Sequence, residues 1–402
     1  LVPGLPFLPF MLGSVTLGGC AFVMSKAAKR EAEAAQIQNM PKATTPSKAS
    51  MGDLLDLDDI HVEFAPDLVE MVLDPGTGLD ARIANMRNHV ATTFGVLLPE
   101  IRLTDNASLP PGYYVVRVHG VEQVRDRLVP DRILALLSDD ADVDLPGDNV
   151  NEPVYGAPAR WISTSAQESA ALAGLTTVQP AEVLATHLLE VVKRNFPRLM
   201  THKALRRRLN EMSNLTDPDR ADANRKLLDE LIPDKVPIDV LLAVLRLLLE
   251  ERVSVRNLAL ILEAVAEGRQ LHQNVEGITE HVRQRLGFQL VAEMRRPDGT
   301  IPLVQLAPEW EDTFATYEIR SDRGTGDVAL PPDSFNELAD GILAKLSQAA
   351  NSGTYAAVVT SMRRRRFLRT VMTAKGIMNP VLSFEEIGID ARPALVGLVP
   401  VA

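Results

Sequence analysis

LDARIANMRNHVATTFGVLLPEIRLTDNASLPPGYYVVRV, residues 79–118, decides the fold class. Leu79, Ile83, Met86, Val90 and Phe94 recur at spacings of three and four, which predicts an amphipathic helix over 79–94. Glu100 to Leu103 then reads as a strand, Asn106 to Gly112 as a turn around Pro110-Pro111-Gly112, and Tyr113 to Val118 as a second strand. Helix, strand, turn and strand in that order imply a small α+β unit.

Toward the N-terminus, Ile60, Val62 and Phe64 alternate with polar residues, the pattern of a strand with one buried face. They lie in an acidic stretch, Met51 to Asp80, that contains no Lys or Arg. Asp74-Pro75-Gly76-Thr77-Gly78 is a turn, and a P-loop is excluded because no Gly-Lys-Ser/Thr follows it. Residues 25–50 are polar and Ala-rich and end in Pro, Thr and Ser, as a flexible linker does; a passive tether and an arm gripping a neighbouring subunit fit them equally. Leu1 to Met24 carries no charge and is followed by Lys26, Lys29 and Arg30. A run of roughly 20 apolar residues is long enough to span a bilayer, and the basic flank predicts an exit on the cytoplasmic side. A signal peptide, a lipoprotein signal around Cys20 and a buried core segment are the alternatives. No Met opens the chain, which suggests that earlier spans precede it.

Toward the C-terminus, strands are predicted at Asp131–Leu137, Arg160–Ser163 and Thr176–Gln179, with a helix at 167–172. Pro180 opens a helix over Ala181–Asn195 with Val183, Leu184, His187, Leu188 and Val191 along one side, and Pro197 ends it. Residues 200–277 read as almost wholly helical. Ile238 to Glu250 is followed by a turn, Ser254 as N-cap, a helix from Val255 to Ala266 and Gly268 as C-cap. A DNA-reading helix-turn-helix is disfavoured there, because the second helix carries only Arg256 and is otherwise acidic or apolar. Residues 278–394 alternate strand and helix. A helix carries Val282, Leu286 and Leu290, strands fall at 301–306, 355–360 and 381–384, and helices at 333–349 and 361–374. The run Arg363-Arg364-Arg365-Arg366 is expected to be a solvated face, with Phe367, Leu368 and Val371 turned inward.

At 402 residues the chain suggests two to four domains. Aromatics are only 4%, so the cores are expected to be aliphatic. A net charge of −11 argues against a nucleic-acid partner. The single cysteine excludes intrachain disulfides and thiolate metal clusters. The seven histidines form no ligand pair at helical spacing, and no metal or cofactor is expected. His-Glu-x-x-His, Walker A, Gly-x-Ser-x-Gly and Gly-x-Gly-x-x-Gly are all missing from the sequence, so nothing specific nominates an enzyme.

The runs PGLPFLPFMLG, IRLTDNASLPPGYYVVRVHGVE, LVPDRILAL, ATHLLEVVKRN, LLAVLRLLLEERVSVRNLALILEAVAE and ITEHVRQRLGFQL occur in the order found in the flagellar type III export gate, the FlhA family, which the whole chain resembles. The final third, with APEWEDTF and PVLSFEEIG, looks more like the flagellar than the virulence branch. The resemblance implies a bacterial inner-membrane protein with a mostly cytoplasmic body of α+β multidomain class. It implies a last transmembrane helix at 1–24 and a linker at 25–52. Subdomain one would comprise 53–130 and 180–199, an inserted α/β subdomain two 131–179, a helical subdomain three 200–277, an α/β subdomain four 278–394, and a tail 395–402. It implies a docking platform, not an enzyme, that forms a ring, commonly of nine copies in the family, and feeds a channel driven by the proton-motive force. Its partners would be flagellar export chaperones with bound substrates, other export-apparatus membrane components and the associated ATPase complex. The family's docking dimple maps onto Leu136, Glu152, Tyr155 and Thr186. The family has Asp where Glu152 stands and Phe where Tyr155 stands, so this chain has a longer carboxylate and an added hydroxyl. A virulence-branch homologue, a membrane-anchored scaffold or signalling protein, and a hydrolase with an unrecognised site are the alternatives.

Overall fold

The computed structural model describes residues 57–137, 145–320, 326–388 and 391–401. The chain divides into Leu1–Leu57 and Asp58–Ala402, and the fold below is that of the second unit. The expected membrane helix at 1–24 and the linker lie outside the described residues. Among the described residues no helix is long and apolar enough to cross a membrane.

The decisive stretch folds as its pattern predicts. Helix α1 spans Leu79–Phe94 and buries Leu79, Ile83, Met86 and Val90. Strands β1 (Ile60–Phe64), β2 (Ile101–Asp105), β3 (Tyr113–Val118) and β4 (Val121–Arg127) form one sheet in the order β2-β1-β3-β4. β1 runs parallel to β2 and antiparallel to β3. The alternation in β1 buries Ile60, Val62 and Phe64, as a half-buried strand should. β4 was not predicted, because VEQVRDR is an edge strand with almost no buried side chain and so carries no apolar period.

A second, antiparallel sheet has the order β6-β7-β5-β8, with β5 at Arg132–Leu136, β6 at Gly147–Asn151, β7 at Pro158–Ser163 and β8 at Thr177–Val178. Its small separate core contains Ile133, Ala135, Leu145, Ile162, Ala170 and Leu175. Helix α2 (Gln167–Leu172) lies between β7 and β8, and α3 (Pro180–Arg194) follows. Pro197 does not stop α3; it lies in the first turn of a separate single turn, Phe196–Leu199.

Helices α4 (His202–Ser213), α5 (Pro218–Leu231), α6 (Ile238–Glu250), α7 (Leu258–Leu271), α8 (Val275–Arg285) and α9 (Gly287–Met294) come next. Three sequence expectations are corrected here. Ser254 is not an N-cap: its hydroxyl donates to the Thr93 carbonyl at 2.6 Å, and Asn257 caps α7 instead, accepting from Leu260 N–H at 3.4 Å. Gly268 does not end α7, which runs on to Leu271; it is a contact point, since a Cβ there would lie 3.3 Å from His281 and Ile278 of α8. The helix expected to carry Val282, Leu286 and Leu290 is two helices, interrupted at Leu286.

Strands β9 (Thr300–Leu306), β12 (Ala357–Thr360), β13 (Val381–Ser383) and β14 (Arg392–Val399) form an all-parallel sheet in the order β13-β12-β9-β14. Helix α10 (Glu309–Thr316), the short pair β10 (Glu318–Arg320) and β11 (Gly326–Val328), α11 (Pro332–Asn351) and α12 (Met362–Ala374) complete this region. Parallel sheets are buried on both faces, and alternate residues here divide between two cores. Ile301, Leu303, Ala357, Val359 and Leu382 join the main core, which also holds α6, α7 and α8. Val304, Leu306, Val358 and Val381 face Trp310, Phe314, Leu338, Ile342 and Leu368. β14 takes residues 395–399 into the sheet, where a tail was expected.

The arginine run is the largest departure. Leu368 and Val371 are buried as expected, but Arg364 and Arg365 are buried with them, at 2% and 0% exposure. Arg365 donates through Nη1 and Nη2 to Glu251 at 2.6 and 2.9 Å, and through Nε to Glu280 at 2.6 Å. Arg283 joins the cluster, bonding Glu386 at 2.8 Å and pairing with Glu251 at 3.2 Å. Buried guanidinium groups persist only when paired and hydrogen-bonded, and these acids are supplied by α8, the turn after α6 and the segment after β13.

Candidate functional site

The four predicted docking residues come from β5, the β6–β7 turn and α3. Helix α3 forms because Pro180 fits its first turn and its apolar residues share one stripe; it buries Val183, Leu184, His187, Leu188 and Val191. Thr186 is half-buried beside that stripe, and its hydroxyl donates to the Glu182 carbonyl at 2.8 Å. His187 is buried, and its Nδ1 lies 2.6 Å from the Tyr114 hydroxyl. Burial holds the imidazole below its ordinary pKa and pushes the phenol well above its own, so the bond joins two neutral groups.

Glu152 builds the hairpin tip. Its carboxylate accepts the backbone N–H groups of Val154 and Tyr155 at 3.0 and 2.7 Å. Its own N–H donates to the Ala157 carbonyl at 2.7 Å, and its carbonyl accepts from Gly156 N–H at 2.9 Å. The turn is fixed by one side chain, and Tyr155 is left 71% exposed at its tip. Leu136 is half-buried in β5, opposite Ala159 of β7.

Sequence reasoning missed Glu190. This carboxylate is only 5% exposed, one turn beyond Thr186 on α3. It accepts from the Tyr155 hydroxyl at 3.3 Å and from Lys193 Nζ at 2.6 Å, and Arg252 Nη2 lies 3.6 Å away. Burial works to raise its pKa, but Lys193, Arg252 and Tyr155 outweigh burial and hold it below the usual range. The one available signal was an acid at the edge of an otherwise apolar helix stripe. Glu152 and Tyr155 are thus joined directly, and Tyr155 is joined to the helix that carries Thr186.

A second concavity, of about 270 Å³, is lined by Glu251, Arg252, Arg283, Leu290, Tyr355 and Arg369 among others. Its Glu251 is engaged by Arg365 and Arg283, and its Arg369 donates to the carbonyls of Asn379 and Ile377. Those contacts make it a product of packing. Among the described residues no group of three or more His, Cys, Asp or Glu side chains could hold a metal ion.

The chain is 31% identical to the flagellar biosynthesis protein FlhA of Caulobacter vibrioides over 99% of its own length and 56% of that protein's. It is 26% identical to FlhA of Bacillus subtilis over 95% and 55%. It therefore spans about half the length of these curated relatives. In fold it is similar to the CdsV protein of Chlamydia pneumoniae, with a TM-score of 0.72 at 22% identity, over 85% of this chain and 98% of that one. It is also similar to the nonameric SctV-C of EPEC, with a TM-score of 0.66 at 16% identity, over 85% and 98%. The FHIPEP family model matches residues 1–392, and the chain belongs to that family.

Proposed function

We propose that this chain is part of a flagellar type III export gate, a docking platform that receives chaperone-bound export substrates and catalyses no reaction. Residues 1–24 would be the last membrane helix and 25–52 the linker to a body on the cytoplasmic side of the bacterial inner membrane. The body would comprise four subdomains, at 53–130 with 180–199, 131–179, 200–277 and 278–394, and would assemble into a ring. The nonameric state of SctV-C supports the ring. Other export-apparatus membrane components and the ATPase complex would be its neighbours. The virulence branch is the second reading, because the solved structures that share the fold include CdsV and SctV-C.

The observation that carries the docking proposal is Tyr155, an aromatic ring left 71% exposed on a turn that Glu152 holds rigid. Exposed aromatics on fixed backbone are the usual anchors of protein interfaces. Leu136 would supply an aliphatic floor, and Thr186 a polar rim. Titration calorimetry of the protein with a purified flagellar chaperone–cargo complex tests this. Tyr155→Ala is expected to weaken binding at least about thirtyfold with an unchanged melting temperature, since hot-spot truncations cost about 2 kcal/mol or more. Binding that is unaltered in Tyr155→Ala and in Leu136→Asp would rule the site out.

A further inference from the structure

We infer that Glu190 is a positioning residue for the docking surface, and that it acts by holding the Tyr155 hydroxyl and so fixing where the exposed ring stands. The inference rests on the docking reading above and adds to it a residue that does not touch the partner.

Three elements converge on this one carboxylate. The Tyr155 hydroxyl and Lys193 Nζ both bond Oε1, at 3.3 and 2.6 Å, and Arg252 Nη2 approaches Oε2 at 3.6 Å. Tyr155 comes from the β6–β7 turn and Lys193 from α3 itself. Arg252 comes from the turn after α6, where it adopts φ +58°, a conformation unusual for a residue with a side chain. Glu190 is buried although Tyr155 is exposed, so the hydroxyl is used inside the molecule while the ring face is left to solvent. A phenylalanine at position 155 would offer the same face with nothing to stop it swinging. A ring already held in one place loses less freedom when a partner covers it, and affinity rises by that saving. Glu152 fixes the backbone of the turn, and Glu190 fixes the end of the side chain.

The test combines a partner-free arm with a binding arm. In amide hydrogen exchange of the protein alone, Tyr155→Phe and Glu190→Ala are each expected to speed exchange at Val154 to Gly156 severalfold, whereas Glu190→Gln, which retains an acceptor, stays near wild type. In titration with a purified flagellar chaperone–cargo complex, Glu190→Ala is expected to weaken binding about fivefold, and Glu190→Gln to restore most of it. The double variant Tyr155→Phe with Glu190→Ala should bind no more weakly than Glu190→Ala alone, because both remove one link. Multiplicative losses in the double variant, or unchanged exchange in both single variants, would overturn the positioning role. If wild type binds no complex but the exchange pattern holds, the docking reading fails and the link between Glu190 and Tyr155 stands.

Discussion

Arg365 and Glu251, 114 residues apart in sequence, meet through two hydrogen bonds of 2.6 and 2.9 Å, with the guanidinium fully buried and the carboxylate half-buried. The pair fastens α12 of the parallel-sheet region to the end of α6. Glu280 and Arg283 extend the contact to α8, and Glu386 extends it to the segment after β13.

Removing Arg365 takes the guanidinium partner from Glu280 and one of two from Glu251 in a largely buried cluster. Arg365→Met is expected to destabilise the protein by about 3–5 kcal/mol, the usual cost of breaking a buried pair on one side only. Arg363, from the same run, is 62% exposed and pairs with Glu318 at the surface, so Arg363→Ala should stay within about 1 kcal/mol of wild type. Urea denaturation of both variants checks the contrast; equal losses would show that the run behaves as one solvated face.

The same cluster predicts acid lability. Burial works to raise the Glu251 pKa, but Arg283 and Arg365 outweigh it and bring the carboxyl to about 2, from an ordinary 4.5. The unfolded chain therefore binds the extra proton between those values, so the contribution is complete above pH 4.5 and is lost as pH falls toward 2. The gap between 4.5 and about 2 corresponds to about 3 kcal/mol. The urea midpoint of wild type should fall steeply across that window, and that of Glu251→Gln more shallowly from a lower starting value.

Gly95 ends α1 at φ +73°, and a Cβ there would lie 2.4 Å from the Arg256 Cα. This close approach lets Val255 N–H donate to the Phe94 carbonyl at 2.9 Å. Gly174 has φ +75° with nothing within 4 Å of its Cβ position. Gly174→Ala should cost about 1–2 kcal/mol, the price of left-handed backbone alone, and Gly95→Ala more than about 4 kcal/mol, since backbone must also move. Thermal melts of the two variants separate conformation from crowding.

The buried bond between the Tyr114 hydroxyl and His187 Nδ1 predicts that Tyr114→Phe costs about 1–3 kcal/mol, because it leaves a buried polar atom without its partner. A matching loss in His187→Phe, and a double variant Tyr114→Phe with His187→Phe that loses less than the sum of the two, would mark the pair as a unit. Additive losses would mean that the two groups act separately.

Local pattern determined what repeats along one element. The period in Leu79 to Phe94 set the helix and its buried face, the alternation at Ile60, Val62 and Phe64 set a strand, and Pro180 set the start of α3. The decision that the chain is α+β was legible in the sequence for that reason, and its FHIPEP membership was legible in the order of its sequence runs, not in any period. Elements without an apolar period were not: β4 is an exposed edge, and β14 is a strand whose only fully buried residue is its last.

Tertiary structure alone decided the roles of charged and capping residues, because their partners lie far away in sequence. Nothing near Arg364 and Arg365 distinguishes them from Arg363; the acids opposite them do, Glu311 and Glu318 for Arg364 and Glu251 and Glu280 for Arg365. Nothing near Ser254 shows that its hydroxyl goes to Thr93, 161 residues away. At the candidate site the sequence supplied Leu136, Glu152, Tyr155 and Thr186 by resemblance, and the folded chain supplied Glu190, whose importance arises only when a hairpin and a turn close over it. Periodicity reports which face of an element is buried, whereas a buried charge is explained only by what the fold brings opposite it.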